Sequence, residues 1–397
     1  MERKGWKIGM ATAGKPQILK QYNTSMIQKL ILERGPVSKP ELAHLTNLSL
    51  PTVNKIVDEL VREEFALEDT FQAGTGAGRK AMTYVANGNY GTFATAYYMD
   101  GKWIGCVANM LGEVLFKSET RIPALEDENK EQQEEAEPQS ALYFAKAEKT
   151  SGQLNLLFEV LKDLMNNAQR VKAIGVGIPG IVMGNDEIAA IPSLPQFEGL
   201  NLKKKLEERY GLPVFIENDV KLMTVGYHSQ RMSHLDNMVF LYIGSGIGGG
   251  ILINGQLYKG NTSFAGEFGY IPAGQGQQED ACSFQGGSLE MRLFALRKQM
   301  EDRNLAREAR QKFSAEIGRA LVSCVAVVNP EAVVLYCNEL NEGSLGEISQ
   351  EIARFLPSHC VPRIYLAASN TYGLYGLICM CKEGVNRRYP LLETMEG

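Results

Sequence analysis

Val239-Phe240-Leu241-Tyr242-Ile243-Gly244-Ser245-Gly246-Ile247-Gly248-Gly249-Gly250 is the stretch on which the fold class turns. Its apolar half suits a buried strand. The glycines that follow expose backbone N–H groups able to cradle an anion, and a tight hairpin accounts for them equally well. Two upstream units repeat the pattern. Val171 to Gly180 runs from an apolar strand into a Gly/Pro turn, and Val214-Phe215-Ile216-Glu217-Asn218-Asp219 ends on three polar residues before a helix-like segment. In α/β folds ligands collect at such strand ends.

At roughly 150 residues per domain, a chain of 397 residues divides into two or three domains, and 44% hydrophobic with 22% charged residues is ordinary globular composition. No apolar run approaches the ~18 residues of a membrane span. The first residues lack the apolar stretch of a signal peptide, so no membrane partner and a cytoplasmic location are expected. The seven cysteines are odd in number and scattered, which favours buried free thiols over a disulfide framework or a metal cluster. The four histidines have no partners at ligand or triad spacing.

The net charge of −5 conceals an asymmetry: residues 1–90 hold 12 Lys+Arg against 9 Asp+Glu, and the rest 29 against 37. That balance suits an N-terminal module facing an anion and a body that does not. Glu126 to Gln139 is acidic without apolar period, the mark of a solvated loop.

Within the first ninety residues, Met26, Ile27, Leu30 and Ile31 form one helical stripe over Met26 to Glu33, ended by Gly35-Pro36. Ser38 lies three residues before Glu41, a capping-box spacing, and predicts a helix from Lys39 to Leu45. Ser49 caps a third helix with Val53, Ile56, Val57 and Leu60 at i, i+3, i+4 and i+7. Its outer face offers Ser49, Thr52, Asn54 and Lys55 to phosphates and base edges. Phe65 to Thr70 and Met82 to Val85 read as strands, and Gly74 to Lys80 as a loop carrying Arg79 and Lys80. This is the layout of a winged helix-turn-helix whose wing reaches phosphates or a minor groove. A small helical protein-interaction domain is the competing reading.

Gly244 to Gly250, Gly255 to Gly260 and Ala265-Gly266-Glu267-Phe268-Gly269-Tyr270, preceded by Glu217-Asn218-Asp219 and Gly177-Ile178-Pro179-Gly180, together resemble the ROK family of repressors, open reading frames and sugar kinases. The resemblance covers essentially the whole chain. It implies an α/β protein in which a winged helix-turn-helix precedes a two-lobed, actin-like sugar-kinase fold. The implied domains are 1–90 for DNA binding, 91–215 for the first lobe joined by a C-terminal helix at 371–397, and 216–370 for the second lobe with the sugar cleft and oligomer contacts. It also implies sugar contacts from Asn218, Asp219, Glu267, Tyr270 and Glu290, with Asp219 matching the catalytic base of the kinases. Read alone, Asn218-Asp219 is more often a turn or a helix cap than a ligand site.

The departures from the family are as specific. Kinases of the family open with a DxGxT loop for magnesium and phosphates, and aligned backward from Gly112 its Asp falls near Tyr97 and its glycines near Met99 and Asp100. Val334-Leu335-Tyr336-Cys337 stands where kinases often have a nucleotide-admitting Gly-Gly. The family's structural zinc takes a His and three Cys, where this chain has Tyr270, Ala281, Ser283 and Ser288, with Cys282 alone nearby. The expectation is therefore no zinc, ATP or magnesium and no catalysis. The expected protein is a homodimeric or homotetrameric repressor that binds double-stranded operator DNA and answers to a sugar effector. A hexose kinase with an extra domain, and a DNA-binding protein whose cleft no longer takes sugar, are the alternatives.

Overall fold

The computed structural model describes residues 16–69, 82–99, 101–121, 154–184, 186–189, 191, 193–273 and 287–386. They divide into two compact units. One comprises residues 1–92, 109–113 and 382–397, and the other 93–108 and 114–381.

The first unit is built on helices α1 (Pro16–Arg34), α2 (Lys39–Thr46) and α3 (Leu50–Arg62), with strands β1 (Val37–Ser38), β2 (Ala66–Asp69) and β3 (Thr83–Ala86). The strands form an antiparallel sheet in the order β1-β3-β2. This is the element order of a winged helix. The capping box at α2 is formed: the Ser38 N–H and hydroxyl each donate to Glu41 Oε2 at 2.7 Å, and the Glu41 N–H returns to Ser38 Oγ. Those bonds, the backbone one first, hold the Glu41 carboxyl below its ordinary range. Val53, Ile56, Val57 and Leu60 of α3 are all buried. Helix α1 starts ten residues before the expected Met26, and within that first half Lys20 pairs with Glu59 of α3 at 2.8 Å.

The second unit holds two five-stranded sheets of the same order. In the first, β4 (Thr92–Met99), β5 (Lys102–Asn109), β6 (Val114–Arg121), β7 (Val171–Ile178) and β10 (Val214–Asn218) lie as β6-β5-β4-β7-β10; β8 (Ile181–Val182) and β9 (Ile188–Ala189) pair separately. In the second, β11 (Met238–Ile243), β12 (Ile247–Ile253), β13 (Gln256–Tyr258), β14 (Ala332–Cys337) and β15 (Arg363–Leu366) lie as β13-β12-β11-β14-β15. Numbered within each sheet, both read 3-2-1-4-5. The boundary expected at 215/216 needs correction, since β10 crosses it and pairs in parallel with β7 through Asn218.

Side-chain alternation sorts the layers. Ala94, Ala96 and Tyr98 of β4 and Ile174, Val176 and Ile178 of β7 share a core with the helix at 154–166 (α4) and with α5 (Leu202–Tyr210). Val239, Leu241 and Ile243 of β11 share the other with α7 (Ser288–Gln299), α8 (Ala306–Val328) and α9 (Glu342–Ala353). The inner faces meet α6 (Asp219–Arg231) and α10 (Tyr372–Asn386). Tyr227 of α6 meets Phe240 of β11 and Tyr372 of α10, with ring centroids at 5.8 and 4.9 Å.

Where α6 and α10 cross, backbone rests on backbone. A methyl group at Gly376 would overlap the Leu222 carbonyl, and one at Gly226 the Tyr372 carbonyl. Gly346 of α9, in contrast, has open space around it. Gly376→Ala should therefore destabilise the protein by roughly 1–3 kcal/mol through overpacking, whereas Gly346→Ala should stabilise it by up to about 1 kcal/mol. Chemical denaturation of the two variants checks both signs.

Candidate functional site

In the first unit the polar start of α3 faces solvent. Ser49 caps the helix, its Oγ accepting from the Thr52 N–H and lying 2.8 Å from Thr52 Oγ1. Lys55 is exposed, and Thr52 and Asn54 are half-buried. Arg79 and Lys80, expected on the wing, lie outside the described residues.

In the second unit the expected acids gather where α6, the loop after β13 and the start of α7 meet. The Asn218 carbonyl caps α6 by accepting from the Lys221 N–H at 3.0 Å, while its amide donates to the Gly180 carbonyl at 3.0 Å. Its cap role and its place in the cluster are thus both realised. Asp219 Oδ1 accepts from the Val220 N–H at 2.8 Å. Glu267 is held by a loop that turns three times through positive φ, at Gly260 (70°), Ser263 (60°) and Gly266 (96°). Gly266 is required there, since any side chain would overlap the Gly249 carbonyl of β12. Glu290, in the first turn of α7, reaches back to the Gly246 and Gly269 backbones. Tyr270 is 38% exposed, its ring 5.2 Å from that of Phe264.

Burial, opposed by Lys221 and reinforced by Glu290, raises the Glu267 carboxyl above its ordinary range. Burial likewise raises Glu290, against a backbone hydrogen bond from Gly287. Three charged partners were given no site role by the sequence reading. Glu217, 2% exposed, accepts from the Asn218 N–H and pairs with Lys259. Lys221 is fully buried and donates to the Ser263 carbonyl, 42 residues away in sequence. Burial lowers its ammonium pKa while Glu217 and Glu267 oppose that shift. The available signal was a lysine flanked by Val220, Leu222 and Met223.

The glycine-rich stretch serves two purposes. Gly244-Ser245-Gly246 turns between β11 and β12, with the Gly244 N–H donating to the Gly246 carbonyl at 2.9 Å. Gly248 to Gly250 lie inside β12, not in a loop. Tyr97, near which the expected kinase aspartate would fall, is fully buried and fills the space over Gly177 and Gly373. Tyr336 stacks on Tyr242 at 5.4 Å and 3° beside the glycine turn. Of the family's zinc positions, Ala281 and Ser283 fall outside the described residues. Ser288 exchanges hydrogen bonds with the backbone of Ala273. A phenol and a bonded hydroxyl do not fit a tetrahedral zinc.

A winged helix joined to two lobes of one strand order, with carboxylates clustered around the helix between their sheets, defines a sugar-kinase-like α/β protein carrying a DNA-binding type of module. The chain belongs to the ROK family, whose profile matches residues 124–382. It is 24% identical over 376 residues to the xylose repressor of Bacillus subtilis, covering 90% of this chain and 91% of that one. It is 25% identical over 276 residues to the xylose repressor of Caldicellulosiruptor bescii, covering 68% of this chain but only 63% of the relative's length. A crystal structure of a ROK family transcriptional regulator, homologous to the E. coli MLC protein, shares the fold with a TM-score of 0.72 and 22% identity, over 94% of this chain and 99% of the other.

The raised Glu267 carboxyl has a defined pH signature. A carboxyl whose pKa is higher folded than unfolded costs stability as pH rises from its unfolded value of 4.5 through its folded one. Glu267→Gln, neutral at every pH, should raise Tm at neutral pH, with the gain fading as pH falls toward 4.5. Thermal melts of both proteins across that range check it.

Proposed function

We propose that the protein is a DNA-binding transcriptional regulator, a repressor of carbohydrate-metabolism genes, released from its operator by a sugar or sugar derivative bound at the carboxylate cluster. The observation that carries this reading is the presence, in one chain, of a solvent-facing polar start to α3 and a polyol-type acceptor set of buried and half-buried side chains. Ser49, Thr52, Asn54 and Lys55, with Arg79 and Lys80 of the wing, are the DNA-facing groups. Asn218, Asp219, Glu267, Tyr270 and Glu290 face the sugar, since carboxylates accept hydrogen bonds from several hydroxyls at once. The similarity to xylose repressors over most of the chain supports the same assignment.

The protein acts without catalysis in this reading. Tyr97 fills the place of a phosphate loop, and Leu335 and Tyr336 stand where nucleotide would need glycine, so ATP and magnesium find no fit. The donor set rejects zinc for the reason given above. A homodimer or homotetramer in the cytoplasm presents paired α3 helices to half-sites about one helical turn apart or a multiple of it. The sugar shifts the equilibrium between bound and released forms by its differential affinity, commonly ~1–3 kcal/mol.

Fluorescence anisotropy of the full-length protein on the DNA upstream of its own gene, against scrambled DNA at fixed salt, tests this. Specific binding weakened by one sugar is expected; no preference over scrambled DNA overturns it. Lys55→Ala should weaken operator binding and reduce the salt slope by about one while leaving sugar binding intact. Asp219→Asn, which keeps the acceptor for the Val220 N–H, should leave operator affinity unchanged and abolish the sugar response.

A further inference from the structure

We propose that Asp58 of α3 reads a cytosine in the operator, its carboxylate accepting from the exocyclic amine of the base in the major groove, and that Lys39 of α2 is the positioning residue that holds the carboxylate in place. This rests on the reading of α3 as the DNA-facing helix and names one base that the helix recognises.

Val53, Ile56, Val57 and Leu60 turn into the core. Opposite them Pro51, Lys55, Asp58 and Arg62 are exposed, at the alternating spacing that puts residues on one stripe of a helix. The stripe starts in the polar first turn and carries that face along α3. Its acid is Asp58, with a side chain 59% exposed. A bare carboxylate here would face phosphates of its own sign and weaken binding to every sequence.

The charge is balanced from outside the helix. Lys39, in the first turn of α2, donates to Asp58 Oδ1 at 2.6 Å, and its ammonium lies 5.2 Å from the centre of the Tyr84 ring of β3. A single side chain thereby joins α2, α3 and the sheet of this unit. Partial burial lowers the Lys39 pKa, but Asp58 and Tyr84 outweigh it and hold the ammonium above its ordinary value. A carboxylate has two oxygens and about four acceptor sites, so with Oδ1 bonded to Lys39 it still accepts from a base.

Glu59, the other acid of α3, supplies a contrast. It pairs with Lys20 of α1 at 2.8 Å, and its side chain is only 25% exposed. Both acids take a lysine from another helix, but Glu59 lies off the outward stripe, on the flank toward α1.

The base edges select the partner. In the major groove cytosine presents the donor N4–H₂ with no acceptor beside it, adenine sets N7 next to its N6–H₂, and guanine and thymine present acceptors. A C·G pair therefore suits this stripe twice over. Its cytosine donates to Asp58, and its guanine offers O6 and N7, acceptors for Lys55 one turn earlier.

The test is selection of binding sites from randomised duplex DNA by the full-length protein at fixed salt. The wild type is expected to retain cytosine at one fixed position of each half-site. Asn pairs with adenine through both N6 and N7, so Asp58→Asn should exchange that cytosine for adenine and leave the other selected positions as they were. Asp58→Ala should lose a preference of at least about fivefold at that position, and it provides the readout where Asp58→Asn lowers Tm. Lys39→Met should weaken the same preference and Lys39→Arg restore it. Glu59→Gln, which breaks an ion pair of the same kind off the stripe, should select the wild-type sequence. Half-sites without a fixed cytosine, Asp58 variants that select the wild-type sequence, or a Glu59→Gln protein that shifts the same base overturn the proposal and leave the DNA-binding reading standing. An unaltered cytosine preference in Lys39→Met removes the positioning role. A wild type that selects no sequence overturns the operator reading and the proposal with it.

Discussion

Strand β12 is pressed from both faces at once, and the rest of the site depends on that. Gly248 and Gly250 face α6, where a methyl group would crowd Val220 and overlap Thr224; Gly249 faces the other way and would overlap the Phe268 ring. Successive residues of a strand point to opposite faces, so close packing on both sides calls for small residues in succession. Interior glycines cost roughly 0.5–1 kcal/mol each relative to alanine. Here the cost is offset by packing that sets α6, with Asn218 and Asp219 at its start, on one side and the Glu267 loop on the other.

This explains why the glycines were ambiguous when read along the chain. A cradle and a hairpin both describe Gly244 to Gly250, and neither anticipates three glycines inside a strand, because the demand for them comes from Thr224 and Phe268. Local signals were legible. Ser38 with Glu41, Ser49 with Thr52, and the stripe Val53-Ile56-Val57-Leu60 fold through neighbours at most four residues apart, and each stands where its spacing placed it. The first half of α1 was not legible, since its polar residues carry no stripe and Lys20 finds its partner in α3. Lys221 was hidden for the same reason: its acceptor, Ser263, is set by tertiary structure alone. Of the candidate sugar residues, Asn218, Asp219, Glu267 and Glu290 were recognisable from motif, while the lysines that balance them were not.

The two sheets of the second unit share one strand order, yet they use their inner layers differently. The first sheet spends its inner face on Tyr97 and on Gly175, which Leu377 and Cys381 of α10 closely approach. The second presents β12 and the glycine turn to the charged cluster. Burial pushes Cys337, at the end of β14, up to about 12, and its thiol donates to Glu339, the partner of Arg297. That chain of polar contacts ends on the Gly244 carbonyl, so the turn beside Glu290 is anchored from beneath.

Tyr97 carries a consequence for how this part of the molecule can change. Its ring is wedged over Gly177 and Gly373 without solvent contact. Shortening the side chain would empty a buried space at a cost of roughly 3–5 kcal/mol, and a methyl group on either glycine would run into the ring. The three positions, far apart in sequence, are thereby tied to one another: a change at one calls for a compensating change at the others.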